Sequence, residues 1–389
     1  MKRSAKTWVE ISKSALTNNV RAFRRHVGEQ TSVMAVIKSN AYGHGLVPVA
    51  KIADKEGAGW LGVDNVDEGI ELRKAGIKKP ILLLGYTLND RLADCVKYRL
   101  SFVVYNLETV KAIRALKLKP VTGRPSLGTK AVFVHVKIET GTTRQGVFGD
   151  ELQKLVRELK KTSGVVIEGA STHFANIEDT TDHSYAETQL DRFREALEMM
   201  AKEGINPPWK HAACSAATVL FPETYFNVVR LGVSMYGLWS SKETLAVAKK
   251  EHRLLDLKPV MTWKTVIAQI KDVEKGTPVS YGLTERVTRP SKLAIIPVGY
   301  WDGFDRGLSG GATVLVRGQR CKVMGRVCMN MCVIDVTDVS GVRIEDEVVL
   351  LGTQNEETVS AEDIASKIGS INYEVVTRIN PLLPRIVSQ

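Results

Sequence analysis

The first part of the chain alternates short, continuously apolar runs with amphipathic segments. The apolar runs lie at 33–37 ("VMAVI"), 58–63, 80–85, 101–105, 131–138, 165–171 and 228–238 ("VVRLGVSMYGL"). Runs that are apolar at every position, rather than at every second one, are typical of parallel strands buried on both faces. We therefore predict a series of parallel strands connected by helices.

Two of the connecting segments, 150–161 and 182–203, have clear helical periodicity. Their apolar residues form one stripe on each helix, at Leu152, Leu155, Val156 and Leu159 and at Leu190, Phe193, Leu197 and Met200. Seven or eight strand–helix units favour an N-terminal (β/α)8 TIM-type barrel. An open doubly wound sheet is the alternative, and it is disfavoured because no G-x-G-x-x-G motif opens the first helix.

The pattern changes after residue 245. Runs such as "MTWKTVIAQIKDV", "SKLAIIPVGY" and "DEVVLLG" are rich in β-branched residues and are separated by turn signals such as Gly276-Thr277-Pro278. We predict an α/β protein with a barrel over residues 1–245 and a C-terminal, mainly β domain over 246–389. Residues 1–10 are allowed to pair with the second domain. One late helix is expected after a Ser360 cap.

The composition excludes several classes of protein. The net charge of +11 is spread along the chain without a block of five like charges, which disfavours nucleic-acid binding. The five cysteines form no C-x-x-C pair and have no metal-ligating cluster beside them, so no metal site is expected. The chain shows no signal-peptide pattern and no apolar run of membrane-spanning length, so we expect a cytoplasmic protein without membrane contact.

The run at 33–37 ends in a lysine, Lys38, and passes into a small, polar, glycine-containing stretch. In a βα barrel the active site lies at the carboxyl ends of the strands. Burial there lowers the pKa of a lysine from its usual value of about 10.4, which makes the neutral amine available for a Schiff base. The alternative is that Lys38 only marks where the strand reaches solvent.

The stretch around Lys38, "AVIKSNAYGHG", resembles the pyridoxal-phosphate signature of alanine racemases. The resemblance continues in order through "VHVKIETGTTRQGV", "STHFA", "HAACSAA", "VVRLGVSMYGL", "VSYG", "PVGYWDGF", "GRVCMN" and "INYEV". One such motif is weakly specific, whereas an ordered set across both predicted domains identifies the chain as a member of this family. The resemblance implies a homodimeric isomerase that uses pyridoxal phosphate to interconvert L-alanine and D-alanine, supplying D-alanine for peptidoglycan.

Racemisation removes the α-proton from one face of the substrate and returns one to the other face. One base on each face achieves this, and the resemblance offers Lys38 for one face and Tyr281 for the other. Free tyrosine has a pKa of about 10, so Tyr281 needs a nearby cation or hydrogen-bond donors to act near neutral pH. The alternative for Tyr281 is an ordinary half-buried strand tyrosine.

The resemblance also implies how the cofactor is held. Arg230 is expected beside the pyridine nitrogen, where its retained proton limits the flow of charge into the ring, and His173 is expected to support it. A salt bridge for Arg230 and a satisfied core histidine for His173 are the alternatives. The phosphate is expected to bind hydroxyl and backbone N–H groups of Tyr42, Ser215, Gly232, Val233 and Tyr373.

The remaining residues implied by the resemblance concern the substrate. Arg144 is expected to meet the cofactor's phenolic oxygen or the substrate carboxylate, and Tyr300 and Met329 are expected at the substrate entrance and carboxylate site. Lys137 matches a lysine that is carbamylated in many relatives, and a carbamate could hold Arg144 by charge-assisted hydrogen bonds.

Four residues depart from the family pattern. Cys214, Leu231, Thr142 and Asn330 stand where asparagine, proline, methionine and aspartate are usual. None of them is one of the two expected bases. They therefore bear on rate and substrate range rather than on the type of reaction.

Three other functions compete with alanine racemisation. A serine/alanine racemase of broader specificity is disfavoured because Tyr373 leaves little room beyond a methyl group. A non-catalytic cofactor-binding barrel is disfavoured because the second domain with Tyr281 is present. A barrel-type amino-acid decarboxylase is disfavoured because its glycine-rich phosphate loop is missing, with Cys328 as the feature that most favours it.

Overall fold

The structure, a computed structural model, describes residues 5–121, 129–179 and 181–389. These residues divide into two compact units. The barrel unit comprises the described residues of Leu16–Ala41 and Leu46–Lys258, and the β unit comprises those up to Ala15 together with Tyr42–Gly45 and Pro259–Gln389. The boundary predicted between residues 245 and 246 stays a prediction.

The barrel unit contains eight parallel strands. The first strand of the chain, β1 (Thr7–Ser12), belongs to the β unit, and the barrel strands are β2 (Ser32–Val36), β3 (Trp60–Val63), β4 (Ile81–Leu83), β5 (Ser101–Val104), β6 (Val132–Lys137), β7 (Val165–Ser171), β8 (Trp209–His211) and β9 (Val228–Leu231). Their order is β8-β7-β6-β5-β4-β3-β2-β9. The Arg230 N–H donates to the Ala213 carbonyl at 3.1 Å, which brings the two end strands together in a nearly closed barrel.

Helices connect the barrel strands. They are α1 (Lys13–Val27), the short turn α2 (Lys38–Tyr42), α3 (Leu46–Lys55), α4 (Val66–Lys74), α5 (Leu92–Tyr98), α6 (Leu107–Ala115), α7 (Gly149–Lys160), α8 (Ser184–Lys202), α9 (Ser215–Leu220) and α10 (Lys242–Lys250). Asn65 and Asn106 cap α4 and α6 through their side-chain oxygens. Helix α7 buries the predicted leucine and valine stripe. The predicted (β/α)8 barrel is thereby confirmed.

The barrel interior changes from apolar to polar toward the carboxyl ends of the strands. An apolar cluster contains Met34, Trp60, Leu82, Val103 and Val228. Trp209 of β8 packs against this cluster. Side chains two residues apart on a strand point to the same face, so Arg230 follows Val228 and His211 follows Trp209 on the inner face, and both are buried. The strands therefore carry a polar layer directly above the apolar core.

The β unit is built mainly of antiparallel strands. After β1 they are β10 (Met261–Val266), β11 (Gln269–Val273), β12 (Pro278–Val279), β13 (Glu285–Arg286), β14 (Ser291–Ile296), β15 (Thr313–Val316), β16 (Gln319–Met324), β17 (Cys332–Asp335), β18 (Glu347–Gln354), β19 (Glu357–Val359) and β20 (Arg385–Ser388). The main sheet has the order β11-β14-β17-β16-β15-β18-β10-β1-β20, β19 pairs with β18, and β12 pairs with β13.

Two helices complete the β unit, α11 (Ala361–Ile368) and α12 (Asn372–Thr377). Ser360 caps α11, and Asp363 accepts a hydrogen bond in return from the Ser360 backbone N–H. Strand β1 pairs antiparallel with β10 and parallel with β20, so the first strand of the chain lies inside this sheet. The predicted C-terminal, mainly β domain is confirmed.

Two details of the predicted strands were wrong. The strand expected over 228–238 ends at Leu231, and Val233–Tyr236 form a 3-10 turn that carries the chain out of the barrel wall. Strand β8 was not predicted, because its sequence, Trp-Lys-His, contains no apolar run. Among the residues that the structure describes, no helix is long and apolar enough to cross a membrane.

Candidate active site

Lys38 follows β2 and opens a turn of unusual backbone. The next four residues, Ser39–Tyr42, all have φ between 53° and 55°, the left-handed region. This conformation costs about 1–2 kcal/mol for each L-residue, so other contacts must hold it. The Asn40 N–H donates to Glu68 Oε1 at 3.0 Å, and Asn40 Oδ1 accepts from the Leu46 N–H at 2.9 Å. The polar stretch after Lys38 therefore forms a left-handed turn held by Glu68, a residue that the sequence did not single out.

Arg230 lies on β9 and is buried among neutral acceptors. Its Nη1 donates to the carbonyl and to Nδ1 of His211, at 2.8 and 2.7 Å. Its Nη2 donates to the carbonyls of Thr172 and Ala212, both at 2.8 Å, and lies 3.2 Å from Nδ1 of His173. The structure places His173 beside Arg230, where the sequence predicts it, and adds His211, which the sequence analysis missed although it opens the motif "HAACSAA".

The charges around Arg230 depend on burial. Burial lowers the pKa of the Arg230 guanidinium to about 10, which leaves it charged at neutral pH. Burial and the neighbouring Arg230 hold the pKa values of His173 and His211 well below the usual range. Both imidazoles are therefore neutral, so that the nitrogen facing Arg230 can accept a hydrogen bond.

Lys137 ends β6 close to this cluster. Burial, followed by the charges of Arg230 and Arg144, lowers the pKa of its amine well below the ordinary value, while Glu139 opposes the shift. Among the described residues no acceptor lies within hydrogen-bond distance of the Lys137 amine. Lys137 is therefore a buried amine beside two guanidinium groups, and this environment favours its neutral form.

Arg144 lies on the loop after β6, and its side chain is exposed. Glu139 organises this loop, since its carboxylate accepts hydrogen bonds from the backbone N–H groups of Gly141 and Thr142, both at 2.6 Å, and of Arg144 at 3.1 Å. Burial opposes ionisation of Glu139, but these N–H groups lower its pKa below the usual value. Glu139 is a third residue, after Glu68 and His211, that the sequence did not single out.

Three residues of the barrel unit present hydrogen-bond donors without a described acceptor. Ser215 Oγ accepts the Gly232 N–H at 3.0 Å and the Ser234 N–H at 3.5 Å, so its own hydroxyl proton is available to another acceptor. Within the described residues, nothing accepts from the Val233 N–H or from Arg230 Nε. This set of donors suits an anion and an unprotonated ring nitrogen.

In the β unit, Tyr281 lies on a turn between β12 and β13 and is 74% exposed. Tyr300 and Met329 are brought together by backbone hydrogen bonds. The Tyr300 N–H donates to the Cys328 carbonyl and the Trp301 N–H to the Met329 carbonyl, both at 3.0 Å. The two side chains expected at the substrate entrance therefore lie on adjoining loops.

Tyr42 and Tyr373, both in the β unit, lie side by side. Their ring centroids are 6.2 Å apart and the rings are tilted by 50°. The next residue, Gly43, has φ +82°, and a Cβ there would lie 2.1 Å from the Val376 carbonyl oxygen. The close approach of Gly43 to α12 explains why the motif has a glycine directly after Tyr42.

The four departures from the family pattern have different surroundings. Cys214 precedes α9, and burial raises the pKa of its thiol, which therefore stays protonated. Leu231 is fully buried on β9 and Asn330 is exposed. The Thr142 hydroxyl lies 3.2 Å from Glu139 Oε1 and donates to it, so this substitution adds a contact to the loop that carries Arg144.

Comparison with known proteins finds one family in both the N-terminal and the C-terminal part of the chain. The family model for the N-terminal domain of alanine racemase matches residues 11–240, and that for the C-terminal domain matches residues 260–387. The chain belongs to the alanine racemase family.

Curated alanine racemases include one from Leptospira interrogans, which is 36% identical to this chain over 390 residues. The match covers 100% of this chain and 97% of that protein. The alanine racemase of Halothermothrix orenii is 41% identical over 379 residues, 97% of this chain and 96% of that protein.

Solved alanine racemase structures share the fold. The crystal structure of alanine racemase from Bacillus anthracis with bound L-Ala-P superposes with a TM-score of 0.90 at 34% identity, covering 100% of this chain and 96% of that one. The crystal structure of alanine racemase from E. faecalis superposes with a TM-score of 0.89 at 33% identity, covering 100% of both chains. The likeness to alanine racemases therefore extends over the barrel unit and the β unit.

Proposed function

We propose that this chain is an alanine racemase that interconverts L-alanine and D-alanine with pyridoxal phosphate as its cofactor. The observation that carries the proposal is the match of both family models in a chain whose barrel gathers Lys38, Lys137, His173 and Arg230 at the carboxyl ends of its strands. Barrel enzymes place their active sites at these ends.

The residues present fit the cofactor. Arg230 uses both terminal nitrogens on neutral acceptors, which leaves its Nε–H for a ring nitrogen. The Ser215 hydroxyl and the Val233 N–H would hold the phosphate, together with Tyr42 and Tyr373, while the Gly232 N–H, which donates to Ser215 Oγ, would orient that hydroxyl. When bound, pyridoxal phosphate supplies an electron sink for the carbanion at the substrate α-carbon.

The chain's own part in the reaction is proton transfer and orientation. Lys38 would anchor the cofactor and exchange a proton with the α-carbon on one face, and Tyr281 would do so on the other. Arg230 keeps its proton because its pKa of about 10 lies well above neutral pH. An arginine that stays protonated leaves the ring nitrogen unprotonated, which limits the sink and favours return of the proton over side reactions.

Substrate binding is proposed for Arg144, Tyr300 and Met329. Lys137 is proposed to be carbamylated, because a buried neutral amine can attack carbon dioxide and release one proton to give a carbamate anion. Such an anion would lie beside Arg230 and Arg144, whose charges lower the pKa of the amine now. It would balance these two cations and orient Arg144.

We also propose that the enzyme is a cytoplasmic homodimer in which Tyr281 of one subunit serves the barrel of the other, and that its D-alanine is used for peptidoglycan. The β unit supports an interface, because several large apolar side chains there are more than half exposed, among them Trp301, Met331, Ile371 and Leu382. Where such side chains form one continuous patch, they mark an interaction surface.

The proposal is tested with the purified full chain, pyridoxal phosphate and L-alanine. We expect D-alanine to form, and we expect Lys38→Ala to lose both activity and the visible absorption band of the bound cofactor. The control, Lys51→Ala, removes an exposed lysine of α3 in the same unit and is expected to keep both. Absence of D-alanine with the unaltered chain, or full activity of the Lys38 variant, would overturn the proposal.

A further inference from the structure

A line of polar side chains, buried except for the partly exposed Glu168, continues behind Arg230 inside the barrel unit. Arg230 Nη1 lies 2.7 Å from His211 Nδ1, and His211 Nε2 lies 2.8 Å from His135 Nδ1. His135 Nε2 is buried, has no hydrogen-bond partner among the described residues, and lies 3.6 Å from Glu168 Oε1. Ser101 donates its hydroxyl proton to the same oxygen. His135, Glu168 and Ser101 have no part in the function proposed above.

The arginine at one end fixes the position of each proton along this line. Arginine only donates hydrogen bonds, so His211 Nδ1 accepts and the His211 proton is on Nε2. That proton is donated to His135 Nδ1, which leaves the His135 proton on Nε2, facing Glu168. The carboxylate only accepts. Every N–H therefore points the same way, from the cation of Arg230 to the anion of Glu168, and each group polarises the next.

The backbone is shaped to place Glu168 and His135 in this line. On β6 and β7, Val134 pairs with Ile167 and His135 pairs with Gly169, so Glu168 is an extra residue in β7. Such a bulge changes the direction in which a side chain points. A Cβ at position 169 would lie 2.0 Å from His135 Nδ1, so only glycine leaves room for the imidazole.

Packing holds the imidazole from the other side. The Trp60 ring meets the His135 ring edge-on, with centroids 5.2 Å apart, and His135 has no exposed surface. A strand bulge, a glycine and an aromatic contact thus converge on one histidine and the carboxylate beside it.

We propose that Glu168 and His135 are positioning residues, which hold Arg230 through His211. Glu168 also provides the negative charge that balances the Arg230 guanidinium. In the described part of the chain no carboxylate contacts Arg230 directly. Placing the counter-charge behind two imidazoles leaves the Arg230 Nε–H free. The inference rests on the proposed function, because the position of Arg230 matters to the reaction only when its guanidinium meets the bound cofactor.

The test compares Glu168→Gln with Glu203→Gln. The first keeps the shape and an acceptor oxygen but removes the charge. The second removes a carboxylate of similar side-chain exposure, 18% against 17%, which pairs with Arg157 in the same unit. The full chain is labelled with nitrogen-15 in its histidine rings, and the ring protons are observed by NMR, with assignments from His135→Asn and His211→Asn.

In the unaltered chain, His135 and His211 should both carry their proton on Nε2. Glu168→Gln should shift both protons upfield, including that of His211, with which Glu168 shares no hydrogen bond. Glu203→Gln should shift neither. A proton on His211 Nδ1, or shifts in Glu168→Gln no larger than those of the control, would overturn the inference.

Ser101→Ala provides a second variant in case Glu168→Gln does not fold. Loss of the hydroxyl donor strengthens the carboxylate as an acceptor, so the His135 Nε2 proton should move downfield, opposite to its shift in Glu168→Gln. An upfield shift, or none, contradicts the proposed line.

The effect on the reaction is measured by steady-state kinetics of Glu168→Gln with alanine as substrate. Loss of a charged partner in a buried network should lower kcat about tenfold in Glu168→Gln. KM for alanine should stay within about twofold, because Glu168 does not meet the substrate. Unchanged kcat would overturn the positioning role. The histidine resonances need no bound cofactor, so failure of this inference is distinguished from failure of the proposed function, in which the unaltered chain makes no D-alanine.

Discussion

Ser280, the residue before Tyr281, has a backbone conformation that normally requires glycine. Its φ is 63° and its ψ is −172°. A non-glycine residue in this region carries a strain of about 1–3 kcal/mol. The Ser280 hydroxyl donates to the Arg326 carbonyl at 2.7 Å, which holds the turn in place. Tyr281, which we propose as one of the two bases, therefore follows a strained residue that a hydrogen bond to Arg326 holds in place.

Because of this strain, we expect glycine at position 280 to give a more stable protein than alanine, the reverse of the usual order. Ser280→Gly and Ser280→Ala both lose the hydroxyl, but only glycine also loses the strain, so the glycine variant should be more stable by about 1 kcal/mol. Thermal unfolding of the two variants measures the difference.

A matched site serves as the control. Ser291 on β14 also donates to a backbone carbonyl, that of Arg289 at 2.8 Å, but its φ is not positive. There the alanine variant should be the more stable one, because glycine loses more conformational freedom on folding. The same order at both positions would contradict the strain at Ser280.

The residues of the proposed site were predicted in type but not in arrangement. Lys38, His173 and Arg230 could be named from their motifs, since each motif is a short local pattern. His211, Glu139 and Glu68 act through contacts with other segments of the chain. Nothing in a local pattern distinguishes Glu139 and Glu68 from ordinary polar residues of strand ends and loops. His211 opens the motif "HAACSAA", but only its contact with Arg230 shows what it does.

At the scale of elements, the bulge in β7 has the clearest consequence. It places Glu168 out of register with β6 and brings Gly169 against the His135 ring. The sequence predicted the strand over 165–171 correctly, yet a bulge depends on how two strands pair. The pairing register of β6 and β7 cannot be read from either strand alone.

Gly169→Ala should destabilise the barrel, because the added methyl group overlaps the buried imidazole of His135. Overpacking of this kind costs about 1–3 kcal/mol, which thermal or denaturant unfolding would detect. Gly311→Ala is the control, since a Cβ there has its nearest neighbour, the Ser309 oxygen, at 3.9 Å and its φ is not positive. Equal stability of the two variants would show that the backbone at Gly169 is not closely packed.

At the scale of the whole molecule, the proposed catalytic groups lie on different units of the chain. Lys38 and Arg230 belong to the barrel unit, and Tyr281, Tyr300 and Tyr373 belong to the β unit. The proposal of a dimer with shared sites makes each site depend on two copies of the chain. Mixing two inactive variants tests this dependence.

Lys38→Ala and Tyr281→Phe, each inactive by itself, should restore activity when the two chains are expressed together. Half of the randomly formed dimers are mixed, and each mixed dimer has one intact site of two, so the mixture should reach about one quarter of the unaltered activity. Two chains that both carry Lys38→Ala serve as the control. No recovery in the mixture would show that Lys38 and Tyr281 act within one chain.

The fold class, the family and the types of residue at the proposed site could all be predicted from the amino-acid sequence. These follow from periodicity and from ordered motifs, which are properties of neighbouring residues. The tertiary structure decided the left-handed turn after Lys38, the neutral partners of Arg230 and the line from Arg230 to Glu168. Burial and strand register produce these features. Both arise only when distant segments pack together, because a side chain's charge state and hydrogen-bond partners depend on what surrounds it.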